Sequence, residues 1–114
     1  MIRLVNIERE AVGAEPLAIS NSAMMAARFK AQSMVHLGYF NHTSPVYGSF
    51  HIIGRDVFNV SIGGENLASG QRTPQEVVTS WMSSPGHREN MLMPGFREIG
   101  VGFYENRWVQ KFIW

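Results

Sequence analysis

The feature that most constrains the fold is an alternating segment near the end of the chain. Apolar side chains at Ile99, Val101 and Phe103 alternate with two glycines and a tyrosine, and this period of two is typical of a β-strand. The three residues at 105–107 are turn formers, and 108–114 has the composition of a return strand. The sequence therefore predicts a C-terminal β-hairpin.

The segments before the hairpin are mainly helical in pattern. Good N-cap residues precede the predicted helix at 22–37 and those from 74 and 85, and Thr73 with Pro74 and Glu76 forms a capping-box sequence. Ser84 followed by Pro85 repeats the same signal one helix later. In chain order the predicted elements are helices at 2–12 and 22–37, a short helix at 49–58, a short strand at 60–62, helices from 74 and from 85 to about 92, and the hairpin.

This order of elements determines the fold class. Strands and helices do not alternate regularly, so a doubly wound parallel sheet is not expected. We expect an α+β fold in which a small antiparallel sheet is covered by helices, formed as a single domain over residues 1–114.

Composition excludes several classes of function. The chain has no cysteine, which excludes thiol nucleophiles, iron–sulfur clusters, zinc fingers and disulfides. Asp56 is the only aspartate, so neither an EF-hand loop nor an aspartate-rich two-metal centre can be built. A net charge of +1 without a basic run argues against a nucleic-acid partner. No apolar stretch is long enough for a transmembrane helix, and no signal peptide opens the sequence.

Three polar residues are the candidates for chemistry. His42 lies in a polar loop after the long helix, where an exposed surface histidine is the structural alternative. His87 is predicted in the first turn of a helix, where the helix dipole favours the neutral imidazole that metal binding or base catalysis requires. Glu65 follows two glycines in a predicted loop, where it could instead cap backbone amides. We interpret His36 and His51 as structural.

Six segments together resemble the CAP superfamily, which comprises cysteine-rich secretory proteins, antigen 5 and pathogenesis-related 1 proteins, in its cysteine-free bacterial SCP-like branch. Each motif alone is weak, but six in the same order over nearly the whole chain are specific. The segments are Leu4–Arg9 (LVNIER), Gly38–Pro45 (GYFNHTSP), Gly64–Ala68 (GENLA), Trp81–Leu92 (WMSSPGHRENML), Phe96–Gly102 (FREIGVG) and Trp108–Phe112 (WVQKF).

The resemblance implies a fold and a site. The fold is a three-layer α-β-α sandwich with a small antiparallel sheet between helices. The site is a cleft lined by two histidines and acidic residues, which correspond here to His42, His87 and Glu65. Many eukaryotic members have a second glutamate where this chain has Ser84. In some members the two histidines bind a divalent metal such as zinc, which implies His42 and His87 as metal ligands.

Several functions remain open at this stage. The leading hypothesis is a secreted or cell-envelope binding domain whose cleft takes a divalent metal or a small ligand. The first alternative is a hydrolase, metal-dependent or serine-dependent, with a histidine as general base, Glu65 as orienting group, and Ser44 or Ser84 nearby. The second is a lipid- or sterol-binding or envelope-interaction module, in which Met91–Met93 could line an apolar groove, although core packing explains these residues equally well. Whether the protein is an enzyme, its oligomeric state, and whether its ligand is a small molecule, peptide or lipid are left open.

Overall fold

The C-terminal hairpin forms the centre of the sheet. The computed structural model describes all 114 residues. In it β5 (Glu98–Tyr104) and β6 (Arg107–Ile113) are antiparallel along their whole lengths. The connecting turn has two residues, Glu105 and Asn106, with φ of 46° and 61°. Positive φ at both positions matches the twist of the flanking strands. The predicted three-residue turn was therefore one residue too long, and the return strand begins at Arg107.

Two further strands complete the sheet, in the order β1-β5-β6-β4. The edge strand β4 (Ile62–Ser69) is antiparallel to β6. At the opposite edge, β1 (Ala18–Ile19) pairs for two residues with the start of β5, in parallel. The expectation of an antiparallel sheet is thus correct for the three long strands, while the short parallel strand carried no sequence signal. A separate two-residue pair, β2 (Thr43–Ser44) and β3 (Gly48–Ser49), lies in the loop after the long helix.

Helices cover both faces of the sheet. The long helix α2 (Asn21–His36) packs on one face, where its small side chains Ala27 and Ala31 meet Val109. On the other face α1 (Ile2–Ala11), α4 (Pro74–Met82) and α5 (Pro85–Leu92) surround the larger core that contains Trp81 and Phe112. This arrangement is the expected three-layer α-β-α sandwich. The remaining helix is α3 (Phe50–Asp56). None of the helices is long and apolar enough to cross a membrane.

Local capping explains where the helices begin. Ser20 accepts a hydrogen bond from the Ala23 amide (3.1 Å), so α2 begins one residue earlier than predicted. Thr73 accepts one from the Glu76 amide (3.1 Å), as the capping box predicts. The Glu76 carboxylate reaches back to the amide of the residue before Thr73. Ser84 lies at the N-cap of α5 but makes no capping hydrogen bond with its side chain.

The strand that carries Glu65 is much longer than the sequence indicated. We predicted a short strand at 60–62 followed by a glycine loop, and that loop was wrong. A Cβ at Gly63 would lie 2.5 Å from the Trp114 ring, and one at Gly64 would lie 2.9 Å from Phe96. The two glycines therefore mark positions in β4 where aromatic rings approach the backbone, rather than a turn. Glu65 is consequently a strand residue with a fixed direction.

Candidate functional site

The centre of the site is a carboxylate buried in the edge strand. The Glu65 side chain has no exposed surface. It lies directly opposite Lys111 of β6, whose ammonium group forms an ion pair with Oε2. The other oxygen, Oε1, accepts a hydrogen bond from Nδ1 of His42 (2.8 Å). Both carboxylate oxygens are therefore occupied, as a buried charge requires.

The loop after α2 presents His42 to this carboxylate. The ammonium group of Lys30, itself almost fully buried, donates to the His42 carbonyl (3.3 Å) and to the Tyr39 hydroxyl (3.2 Å). These two hydrogen bonds attach the loop to α2, one at Tyr39 and the other at His42 itself. The His42 side chain is 50% exposed. With Nδ1–H donating to Glu65, the neutral ring carries its lone pair on Nε2, which is available to a ligand.

His87 is held on the other side of the same strand by a buried amide network. Asn66 donates to the His87 carbonyl (3.0 Å) and to the Gln110 side chain (3.0 Å). Asn90 of α5 donates to Asn66 (2.9 Å) and to the carbonyl of Glu65 (3.3 Å). Because Asn66 and Gln110 are fully buried and both partnered, they fix the first turn of α5 against β4.

The site therefore lies across the edge of the sheet. Neighbouring strand residues point to opposite faces, so Glu65 faces the α2 side and Asn66 faces the α5 side. Glu65 holds His42, and Asn66 holds the backbone of His87. Burial lowers the pKa of His87, and the charge of nearby His42 lowers it further. The side chain of His42 and the backbone of His87 thus contact neighbouring residues of β4, although they come from distant segments of the chain.

We expect His87 to titrate at lower pH than a free histidine. Its lowered pKa means that the imidazolium form is disfavoured, so the ring is neutral at pH 7. In an NMR titration its midpoint should fall below 6.5, the ordinary value for histidine. His42→Gln, which removes a charge but keeps a polar side chain, should raise the midpoint part of the way back. A midpoint at or above 6.5 in the wild-type protein would contradict this arrangement.

Two lysines belong to the site although the sequence analysis did not select them. Lys111 is fully buried, and burial lowers its pKa, while the Glu65 carboxylate opposes that shift. Lys30 lowers the pKa of Lys111 further through its charge. A lysine between the apolar residues Val109 and Ile113 on one face of a predicted strand was the signal that could have identified Lys111. Lys30 gave no comparable signal in the sequence, because other polar residues lie near it in α2.

The Tyr39 hydroxyl connects Lys30 to the loop that carries His42. Burial by itself raises the pKa of its hydroxyl. Hydrogen bonds with Ser33, Ser44 and Lys30, together with the charge of Lys30, outweigh that effect, so the pKa is lowered overall. The hydroxyl accepts a hydrogen bond from the buried ammonium group of Lys30, and this charge-assisted bond strengthens the attachment of the loop to α2.

The other residues considered in the sequence lie outside the His42–Glu65 contact. His36 contacts the Tyr104 hydroxyl (3.3 Å) on the surface, and Nδ1 of His51 donates to the Ile62 carbonyl (2.6 Å). The hydroxyl of Ser44 is buried and accepts hydrogen bonds from the amides of the two residues after Pro45. Of Met91–Met93, Met91 is fully buried in the core and Met93 packs partly buried against it, so core packing, the alternative to a groove, accounts for these side chains.

Comparison with known proteins assigns the chain to a family. The model of the cysteine-rich secretory protein (CAP) family matches residues 2–114. The uncharacterized protein YkwD of Bacillus subtilis is 45% identical over 116 residues, a match that covers 99% of this chain and 45% of YkwD. Thus the chain spans less than half the length of that relative.

Solved structures agree with the fold. An extracellular protein containing an SCP domain from Bacillus anthracis aligns with a TM-score of 0.93 and 30% identity, covering 98% of this chain and 38% of that one. An outer surface protein from Borrelia burgdorferi aligns with a TM-score of 0.83 and 22% identity, covering 97% and 86% respectively. At that identity the second similarity concerns the fold alone.

Proposed function

Because the chain belongs to the cysteine-rich secretory protein (CAP) family, we propose that it is a binding domain whose cleft takes a divalent cation through His42 and His87. Zinc is the first candidate, since neutral imidazole is among its preferred ligands. We place the domain outside the cell or at the envelope. The extracellular SCP-domain protein from Bacillus anthracis, which is 30% identical, supports this location.

The observation that carries the proposal is the hydrogen bond between His42 and Glu65. In many metal sites a ligating histidine donates its second ring N–H to a carboxylate, which fixes the ring and its tautomer. Here Nδ1–H donates to Oε1 at 2.8 Å, which leaves Nε2 free on the half-exposed side of the ring. His87 adds a second imidazole that is neutral at pH 7, as a ligand must be.

The donor set fits an open and weak site rather than a closed structural one. Glu65 uses both oxygens on His42 and Lys111, so it supports the site without acting as a third ligand. No group of three or more histidine, aspartate or glutamate side chains is positioned to hold a metal ion. Tetrahedral zinc has four ligands, so two positions would be left for water or a small ligand. The buried lysines, Lys30 and Lys111, also disfavour a cation nearby.

Calorimetric titration with zinc tests the proposal. We expect saturable binding by the wild-type protein at pH 7 and loss of that heat in the His42→Ala/His87→Ala double variant. His36→Ala is the matched control, because His36 lies on the surface against Tyr104 and outside the cleft. Equal heats from the wild type and the double variant would show that these two histidines do not bind zinc. The fold assignment would not be affected.

The same hydrogen bond favours hydrolysis as a second candidate. A histidine oriented by a buried carboxylate is suited to remove a proton from water, with Nε2 of His42 as the base and the Glu65 carboxylate stabilising the resulting imidazolium. Ser44 does not suit the role of nucleophile, because its buried hydroxyl accepts two backbone hydrogen bonds in its own turn.

A panel of peptide and ester substrates tests this second candidate. Any genuine activity should fall by about 10²–10⁴-fold in His42→Gln, the range expected when a general base is removed. His36→Ala should retain full activity. Activity that survives in His42→Gln would have to come from another site.

A further inference from the structure

The outer edge of β5 is covered along only half of its length. β1 pairs with Glu98 and Ile99, and the last backbone–backbone hydrogen bond on this edge is from the Ser20 amide to the Ile99 carbonyl (3.0 Å). The chain then leaves the sheet, because the carbonyl of Ser20 accepts the first hydrogen bond of α2, from the Met24 amide (2.9 Å). Beyond this point β5 has no neighbouring strand on its outer side.

The backbone of the uncovered half is directed outward. In an antiparallel pair, alternate residues direct their N–H and C=O groups toward the partner strand. The two-residue turn places Tyr104 opposite Arg107 as a hydrogen-bonded pair, so Val101 and Phe103 face away from β6. The amide of Val101 donates to the thioether sulfur of Met24 (3.1 Å), which is a weak acceptor. The edge therefore retains most of its capacity to pair with another strand.

A cavity of about 530 Å³ lies across this edge. Met24, Met25 and Arg28 of α2 line one side, and Phe103 and Trp108 line the other. Two of these apolar side chains are notably exposed, Met25 at 57% and Phe103 at 46%. Arg28 is the only charged side chain in the lining, and it forms no ion pair with any carboxylate of the chain.

We propose that this edge binds an extended acidic peptide segment of another protein as an added strand. The peptide backbone would pair with Val101 and Phe103, an apolar side chain would enter the cavity, and a carboxylate would pair with Arg28. β1 already demonstrates that this edge accepts an extended segment, with which the added strand would be continuous. A second copy of the chain fits less well, because edge-to-edge pairing would bring two Arg28 side chains toward each other.

NMR titration with a synthetic peptide tests the proposal. The probe is acetyl-Val-Thr-Val-Glu-Val-Glu-amide, and the control peptide has lysine in place of both glutamates. We expect the acidic peptide to shift the amide signals of Val101 and Phe103 and to slow hydrogen exchange at Phe103. Arg28→Glu should weaken binding of the acidic peptide by roughly tenfold, and this variant should bind the lysine peptide more tightly than the acidic one.

Two further experiments separate strand addition from simple apolar contact. A peptide N-methylated at alternate residues keeps its side chains but cannot form the ladder, so it should not bind. Phe103→Ala removes the ring that lines the cavity but keeps the outward amide, whereas Phe103→Pro removes both at an edge position where proline is tolerated, so the unmodified peptide should bind Phe103→Ala weakly and Phe103→Pro not at all. If that variant does not fold, the N-methylated peptide decides alone.

Three results would overturn the proposal. The first is the absence of a peptide-dependent shift at Val101 and Phe103 at millimolar peptide. The second is equal binding of the N-methylated and unmodified peptides. The third is a shift of the same two amides with protein concentration in the absence of peptide, which would identify a second copy of the chain as the occupant.

Discussion

Glu65→Gln is expected to destabilise the protein by about 3–5 kcal/mol at pH 7, the usual consequence of removing one partner of a buried ion pair. Glu65 and Lys111 are both fully buried, and the substitution leaves the lysine ammonium without a counter-charge. The second buried lysine, Lys30, lowers the pKa of Lys111 and adds to the imbalance. Urea denaturation followed by circular dichroism measures the loss as a fall in the midpoint with little change in slope.

A charge-free pair should recover most of that stability. The double variant Glu65→Gln/Lys111→Met removes the uncompensated ammonium, and such replacements are often neutral relative to the intact pair. His42→Gln is the control, because it removes the second partner of Glu65 but leaves the ion pair in place, so its effect should be small. The charge argument would be contradicted if Glu65→Gln lowered the free energy of unfolding by less than about 1 kcal/mol. It would also be contradicted if Glu65→Gln/Lys111→Met were no more stable than Glu65→Gln.

The stability of the Glu65→Gln variant should depend on pH in a predictable direction. The pKa of Lys111 is lowered in the folded protein, chiefly by burial, and Glu65 is what opposes the shift. Without that carboxylate the folded state binds fewer protons at Lys111 than the unfolded state, so stability rises with pH toward 10.5, the ordinary lysine value. Glu65→Gln should therefore gain stability relative to the wild type between pH 7 and pH 10.

Gly102→Ala is expected to have the second large effect, a loss of about 3 kcal/mol from overpacking. A Cβ at Gly102 would lie 2.4 Å from the backbone of Ala27 in α2, and one at Gly100 would lie 2.1 Å from that of Ala23. The obstacles are backbone atoms, which can move only if the whole helix moves. Relief of the clash would therefore lift α2 from the sheet, and the loss would appear in thermal or urea unfolding.

Gly86→Ala is the matched control for that substitution. A Cβ at Gly86 would meet nothing within 4 Å, and the residue lies in α5 with ordinary helical φ. Replacing a helical glycine with alanine in open space should be neutral or stabilising by roughly 0.5–1 kcal/mol. Equal losses at Gly86 and Gly102 would mean that the close approach of α2 to β5 does not limit packing.

The two predictions concern the same structural relationship. α2 lies on the sheet closely enough to require glycines in β5, and the same helix carries Lys30, which holds the carbonyl of His42. The position of the exposed imidazole therefore depends on helix–sheet packing as well as on its bond to Glu65. A site built in this way combines an accessible nitrogen with a rigid support, which a ligand-binding cleft requires.

Much of the architecture could be predicted from local patterns. The period of two at 99–104 predicted the hairpin, and the capping residue Thr73 predicted the start of α4 to the residue. The motif resemblance implied the three-layer arrangement that the structure has. The errors arose where a local signal had two physical meanings. Glycines at 63 and 64 indicate either a turn or close packing, and only the positions of Phe96 and Trp114 decide between them.

Local patterns in the sequence predicted the order of the helices and the long strands and the C-terminal hairpin, the motifs indicated the family, and His42, Glu65 and His87 were predicted as the site. Only the folded arrangement shows that Lys111 neutralises Glu65, that Asn66 holds His87, and that half of the β5 edge stays uncovered. The physical reason is that propensity and capping act over a few neighbouring residues. Buried charge balance and strand pairing join groups about 20 to 80 residues apart, and local sequence patterns do not show which of these groups meet.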